Sequence, residues 1–294
     1  VRMVGDGRGE LAFGLHPGAR GLGLATRAGR LVLDWAFEIA GLQAVIWQAA
    51  VGNWASRHVA AALGFRHEGV RRAALAQDGA LLDAWTATLL PHDPRVSVAP
   101  PRQPVLRNDT VTLRPFVEDD LARIVVACAD PLTQHWLTAL PRGYGLGDAA
   151  MFLEWSKEGA AAFTHWNWCV TAPGSDDCLG AVSLSRLDHG SGSGELGYWA
   201  HPDARGRGVM GAAARLAADF ALGELAGPGL PGDRLHRTVT IRVAPGNTAS
   251  QAVARAAGAE PVGRLPEAER LGDGTWSDLL LFARVRGRTP ESAG

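Results

Sequence analysis

Residues 194–210 read GELGYWAHPDARGRGVM, and residues 9–25 read GELAFGLHPGARGLGLA, the same string displaced by 185 positions. In each copy a short extended stretch ends in His-Pro. An Arg-Gly-x-Gly turn follows, and a helical stretch rich in Ala and Leu begins. Such a turn delivers the start of a helix, where unpaired N–H groups and a partial positive charge receive anions. Glycines without Cβ atoms let a phosphate reach the backbone, and an arginine adds a charged donor. The pattern describes a pyrophosphate cradle. A Walker loop is excluded, because no Gly-Lys-Ser/Thr follows. A dinucleotide fingerprint lacks its third glycine and its spaced acid.

The repeat extends beyond the cradle. Gly52-Asn53-Trp54-Ala55-Ser56 matches Gly246-Asn247-Thr248-Ala249-Ser250, Asp78-Gly79 matches Asp273-Gly274, and Asp83 matches Asp278. The second copy carries a longer loop around residues 227–233, rich in Gly and Pro. Two copies of this length are duplicated domains and not a short-period solenoid. Residues 91–104, PHDPRVSVAPPRQP, hold five prolines and read as a semi-rigid linker. The expected organisation is a partial domain over 1–90, that linker, a complete domain over 105–286 and a flexible tail over 287–294. The segment 105–193 has no counterpart in the first copy, which is therefore read as N-terminally truncated.

Alternation and turn residues predict strands near 111–114, 166–171, 179–184, 194–200, 238–243 and 279–284, and helices over 119–129, 148–162, 209–225 and 249–257. The order β-α-α-β-β-β-α-β-α-β gives a layered α/β domain. The chain has 294 residues, 47% of them hydrophobic and 20% charged, which excludes wholesale disorder. With 29 basic and 30 acidic side chains, a nucleic-acid grip along the whole chain is not expected. Three cysteines without a C-x-x-C pair suit a reducing, cytoplasmic setting. No apolar run is long enough for a membrane span, and the first residues do not read as a signal peptide.

On these residues the chain resembles the GNAT acetyltransferase superfamily, whose acetyl-CoA signature is Arg/Gln-x-x-Gly-x-Gly/Ala. Arg20, Gly21, Leu22, Gly23, Leu24 and Ala25 match it throughout. Arg205, Gly206, Arg207, Gly208, Val209 and Met210 match except at Met210, where a small residue is usual. The string around His-Pro, the Gly-Asn-x-Ala-Ser turn and Leu63-Gly64-Phe65 resemble the branch that acetylates ribosomal-protein N-termini. The resemblance implies a mixed, mainly antiparallel sheet flanked by helices, with acetyl-CoA as co-substrate and no metal. It implies that the strand ending at His201 splays from its neighbour to pair with the pantetheine arm. Amides from Gly206 to Gly211 would then carry the diphosphate, with a backbone N–H near Trp199 and Ala200 at the oxyanion.

For proton transfer, Glu195 (Glu10 in the first copy) is a candidate base, or a solvated strand-end carboxylate. Ser250 (Ser56) is a candidate donor to the leaving thiolate, or part of a helix cap. Asn247 and Asn53 are expected to contact the cofactor arm. Some relatives in this branch carry a glutamate a few residues before the Asn/Asp-Gly turn. Here Glu267 or Glu269 comes nearest, and the first copy has Ala74, Leu75 and Ala76 instead. A weak base costs little for an α-amine, which is roughly 10–20% neutral at pH 7, and much for lysine, which is below about 0.1% neutral. The acceptor is thus expected to be a protein N-terminus or a small-molecule amine. The tryptophans Trp136, Trp155, Trp166 and Trp168 form either core or an aromatic acceptor pocket. His16 and His201 precede proline at equivalent positions without a second ligand at metal-site spacing. The alternative is a GNAT-fold binding or scaffold protein that has lost turnover, since Met210 and Ala259 (for Phe65) mark drift in the second copy. Pairing of the domains, within the chain or as a homodimer, stays open.

Overall fold

The stretch HWNWCVT is buried at every position, and its alternation assigns two faces. Trp166, Trp168 and Val170 belong to one core, and Cys169 to another. This strand is central to a computed structural model that describes residues 1–187, 192–225 and 236–287. The loop expected around 227–233 lies outside the described residues, as does the expected tail apart from Gly287. The chain divides into two units, Val1–Pro100 and Pro101–Gly294.

The first unit comprises β1 (Arg2–Gly5), β2 (Arg8–Glu10), α1 (Leu24–Asp34, continuing as a π-turn over Trp35–Ile39), β3 (Ala44–Ala50), α2 (Trp54–Ala62), β4 (Arg66–Gln77) and β5 (Ala80–Leu89). Its sheet has the order β1-β2-β3-β5-β4, and only β2 and β3 run parallel. Residues 11–16, the counterparts of 196–201, form no strand.

The second unit comprises β6 (Leu106–Arg107), β7 (Thr112–Pro115), α3 (Leu121–Ala129), α4 (Pro131–Trp136), α5 (Leu146–Ala162), β8 (His165–Thr171), β9 (Gly180–Ser185), β10 (Ser193–Ala200), α6 (Val209–Ala221), β11 (Thr238–Val243), α7 (Thr248–Ala256), β12 (Glu260–Arg270) and β13 (Trp276–Val285). The eight strands are ordered β12-β13-β11-β10-β9-β8-β7-β6. Among the described residues only β10 and β11 pair in parallel; the other neighbours are antiparallel. This is the mixed, mainly antiparallel sheet with flanking helices that the sequence implies. α6 covers one face, its Phe220 ring 5.8 Å from Trp166 and 6.0 Å from Trp168. α3 and α5 cover the other, where Asn167 donates to Ser156 across 3.0 Å.

Two elements longer than the two-residue β6 depart from the sequence reading of the second unit. The expected strands omit β12, which carries Pro261, Gly263 and Pro266 and is exposed along nearly all its length. Its pairing with β13 shifts register between Leu265 and Glu269, and Glu267 sits there at φ +44°. A bulge erases the alternation by which a strand is recognised. β4 bulges likewise between Arg71 and Leu75, with Ala73 at φ +49°. The repeated aspartates explain both: Asp83 accepts the Ala73 N–H at 2.8 Å, and Asp278 the Glu267 N–H at 2.8 Å. The other omission is α4, which begins at Pro131 with Asp130 as its cap. Among the described residues no helix is long and apolar enough to cross a membrane.

Candidate active site

β10 and β11 pair only over Ser193–Glu195 against Thr238–Thr240. Beyond that they diverge. The His201 N–H bonds the Leu179 carbonyl toward β9 at 2.9 Å, and antiparallel pairing alternates. The amides of Tyr198 and Ala200 therefore point into the gap, and that of Trp199 toward β9. Around the gap lies a cleft of about 930 Å³. Its walls are the end of β10, the first turns of α6 and α7, β11, and the stretch Leu132–Leu140.

The cradle closes one end. Pro202–Ala204 form a single 3₁₀ turn, capped by His201 Nδ1, which accepts the Asp203 N–H at 3.2 Å. Gly206 and Gly208 follow at φ +71° and +72°. A Cβ on either would meet nothing within 4 Å, so the left-handed backbone and not crowding requires glycine. The first intrahelical bond of α6 runs from Ala212 N–H to Gly208 O. The amides of Val209, Met210 and Gly211 consequently have no partner in their own helix and are placed to receive an anion. The first unit repeats the geometry, with Gly21 and Gly23 at φ +77° and +69°.

Across the cleft, the Tyr198 hydroxyl lies 2.9 Å from Ser250 Oγ and 2.9 Å from the Ser250 carbonyl. Burial pushes the phenol up to about 12, so it keeps its proton near neutrality. At the far wall Glu269 Oε1 accepts from Thr138 Oγ1 at 2.9 Å, two residues past Glu267 in the bulge. A family model for the acetyltransferase (GNAT) domain matches residues 1–66 and 110–260. The chain belongs to the GNAT acetyltransferase family.

Solved structures agree in fold. A GNAT-family acetyltransferase from Bacillus anthracis is 16% identical with a TM-score of 0.52, covering 63% of this chain and 100% of its own. RimL, a ribosomal L7/L12 α-N-protein acetyltransferase solved with coenzyme A, is 19% identical with a TM-score of 0.51, covering 62% and 98%. Mycobacterium smegmatis RimJ, solved with a CoA-disulfide, is 22% identical with a TM-score of 0.52, covering 64% and 89%. No curated protein sequence matches the chain.

Within this GNAT chain the expected site residues fall into three groups. Trp199, Ala200, Arg205, Gly206, Gly208, Val209, Met210, Gly211, Asn247, Ser250 and Glu195 all line the cleft. His201 is buried beside it. Burial and then the Arg123 charge hold its ring below the ordinary imidazole range, and Arg123 Nη2 lies 3.2 Å from its Nδ1. Arg207 is turned back toward the Asp203 carbonyl at 3.4 Å.

Several side chains are committed differently from the sequence reading. Asn247 Oδ1 accepts the Ser250 N–H at 3.0 Å, and Asn53 Oδ1 the Ser56 N–H at 3.2 Å. Both asparagines thus cap helices, and the serines are free of that duty. Glu195 is held by Arg242 at 2.6 Å and by Arg186 at 3.8 Å. Arg205 reaches Asp130 and Thr133. Glu269 lines the cleft, and Glu267 is not among its lining residues. Met210 packs over Gly180, where a Cβ would lie 2.8 Å from its Sδ, so a larger residue at this signature position is matched by a glycine opposite. The tryptophans also divide. Trp166 and Trp168 are core, Trp155 stacks on His165 at 3.9 Å, and Trp136 lines the cleft.

Tyr198 escaped the sequence reading, although it sits inside the repeated string. The signal was the mismatch itself, since the first copy has Phe13 at that position. There the Ser56 hydroxyl instead accepts from Trp47 Nε1 at 3.1 Å. Among the described residues one trio could in principle hold a metal, Asp120, Cys169 and Cys178, but both Asp120 oxygens are taken by Arg114 at 2.8 Å.

Proposed function

We propose that the second unit transfers an acetyl group from acetyl-CoA to a primary amine, and that the first unit is a partial GNAT copy without the full site. The observation that carries this reading is the splayed β10 with a cradle of unpaired amides at one end and the Tyr198–Ser250 hydroxyl pair within reach of the same cleft. The amides of residues 206–211 hold the diphosphate, and that of Ala200, nearer the cradle, pairs with the pantetheine arm. The donor supplies a thioester carbonyl. The amine nitrogen forms the new C–N bond as the C–S bond breaks, and the Tyr198 amide is placed to meet the developing oxyanion. Glu269, oriented by Thr138, takes the proton that the amine sheds, directly or through water. The hydroxyl pair returns a proton to the departing thiolate: Ser250 donates its own and takes one from Tyr198, which solvent reprotonates.

Glu195 is a poor candidate for the base because its carboxylate is already occupied by two arginines. An α-amine, partly neutral at pH 7, suits a cleft with one carboxylate not held by arginine better than lysine does. The test is free-thiol release from acetyl-CoA with three acceptors: peptides with free N-termini, N-terminally blocked lysine peptides, and small aliphatic amines. Turnover with free N-termini or small amines well above lysine is expected. CoA binding without release on any amine would favour the degenerate binding protein instead.

A further inference from the structure

The arginine of the cradle does not stand free beside the amides. Arg205 Nη2 donates to Asp130 Oδ1 at 2.5 Å and to Thr133 Oγ1 at 2.8 Å. Asp130 is the N-cap of α4, and the same Oδ1 accepts the Thr133 N–H at 3.0 Å. Thr133 is buried, and the Arg205 and Asp130 side chains are 31% and 20% exposed. The Arg205 guanidinium, ahead of the capping bonds, holds the Asp130 carboxyl below the ordinary range. A guanidinium bound to both a carboxylate and a hydroxyl is directed by them.

What Arg205 grips is one end of a strap. From α4 the chain runs along the cleft through Leu132, Trp136 and Leu140. Trp136 closes on the β11–α7 turn, its ring 3.3 Å from where a Cβ on Gly246 would sit. The far end is fastened to the β12–β13 turn: Gly272 N–H bonds the His135 carbonyl at 2.9 Å, Arg142 the Gly272 carbonyl at 2.6 Å, and Thr138 bonds Glu269 at 2.9 Å. The strap has several bonds at that end and the Arg205 pair at the cradle end. The first unit has the cradle without a counterpart of α4, and Arg20 there has no side-chain bond to protein among the described residues.

We infer that Arg205 is a positioning residue for the acceptor wall, clamping α4 to the cradle through Asp130 and Thr133, and not a ligand of the diphosphate. The diphosphate is then carried by backbone amides alone. The inference draws on the proposed acetyl transfer only for its acceptor readout.

The test compares the full chain with Arg205→Ala, Asp130→Asn and the double variant. Three quantities are read: the Kd for CoA by calorimetry, the acceptor KM against kcat, and hydrogen exchange over residues 131–140. The clamp predicts that both single variants raise the acceptor KM by about tenfold. It predicts a CoA Kd within about threefold of the parent, equal loss of exchange protection over 131–137, and a double variant no worse than either single. A tenfold loss of CoA affinity in Arg205→Ala that Asp130→Asn does not share would overturn it, as would independent, multiplying effects. Should Arg205→Ala fail to fold, the near-isosteric Asp130→Asn decides through the same three readouts. If the parent binds CoA but acetylates no amine, the proposed function fails while the exchange and affinity readings still judge the clamp.

Discussion

Replacing Gly208 by alanine isolates the backbone of the cradle. A Cβ at this position meets nothing within 4 Å, so no packing cost arises. The residue sits at φ +72°, a conformation that costs a residue with a Cβ about 1–2 kcal/mol. Reduced freedom of the unfolded chain offsets about 0.4–1 kcal/mol of that. The net loss is then about 1 kcal/mol, or a fall in Tm of about 2–4 °C. The functional effect is larger. If the chain relaxes out of the left-handed region, the amides of residues 209–211 turn away from a common point, and the CoA Kd rises at least about tenfold. Thermal denaturation and calorimetric titration on the same sample read both numbers. Gly211→Ala is the control of opposite character. Its Cβ would lie 2.8 Å from the Ala256 Cβ, so it should cost about 1–3 kcal/mol by pushing α6 from α7. A Gly208→Ala protein with unchanged Tm and unchanged CoA affinity would refute the assignment of both the strain and the ligand amides.

Tyr198→Phe removes the hydroxyl that bonds Ser250. It should cost about 1–3 kcal/mol of stability and lower kcat by about 10²-fold or more; an added Ser250→Ala should lower kcat little further, whereas multiplying effects would mean that the two hydroxyls act separately. Gly180→Ala would place a Cβ 2.5 Å from the Trp199 carbonyl and 2.8 Å from Met210 Sδ. A loss of about 1–3 kcal/mol is expected, and an added Met210→Ala should not restore it fully, because the carbonyl cannot yield; full recovery would show that the sulfur alone is responsible. Burial holds His165, His201 and His236 below their ordinary value of 6.5. The unfolded chain therefore binds protons that the folded chain refuses, and stability falls as pH drops through about 6.5 toward the depressed folded values. Melting curves at pH 7.5 and 5.5 check the sign, and a Tm that rises on acidification would contradict it.

The parts of the fold readable from sequence were those with local causes. The cradle announces itself through glycines that only a left-handed backbone needs, and β8, β9, β10 and β11 through β-branched and aromatic runs. β12 was illegible because its bulge and two prolines interrupt the period on which strand recognition depends. α4 was marked by Asp130-Pro131, an N-cap followed by proline, a signal weaker than a long periodic run. The site was legible in its backbone and less so in its side chains. Nothing within the Arg-Gly-x-Gly string tells that Arg205 turns to Asp130, 75 positions away, or that Tyr198 reaches Ser250, 52 positions on. The repeated Gly-Asn turn also serves the helix cap that both copies form through Asn247 and Asn53.

The position of bound CoA tests the central claim most directly. A crystal structure of the full chain with CoA is predicted to place the diphosphate on the amides of residues 206–211 of the second unit, with the pantetheine arm between β10 and β11 and its sulfur toward Ser250. A diphosphate bound elsewhere, or an empty cleft in the second unit beside a filled cradle in the first, would contradict the account.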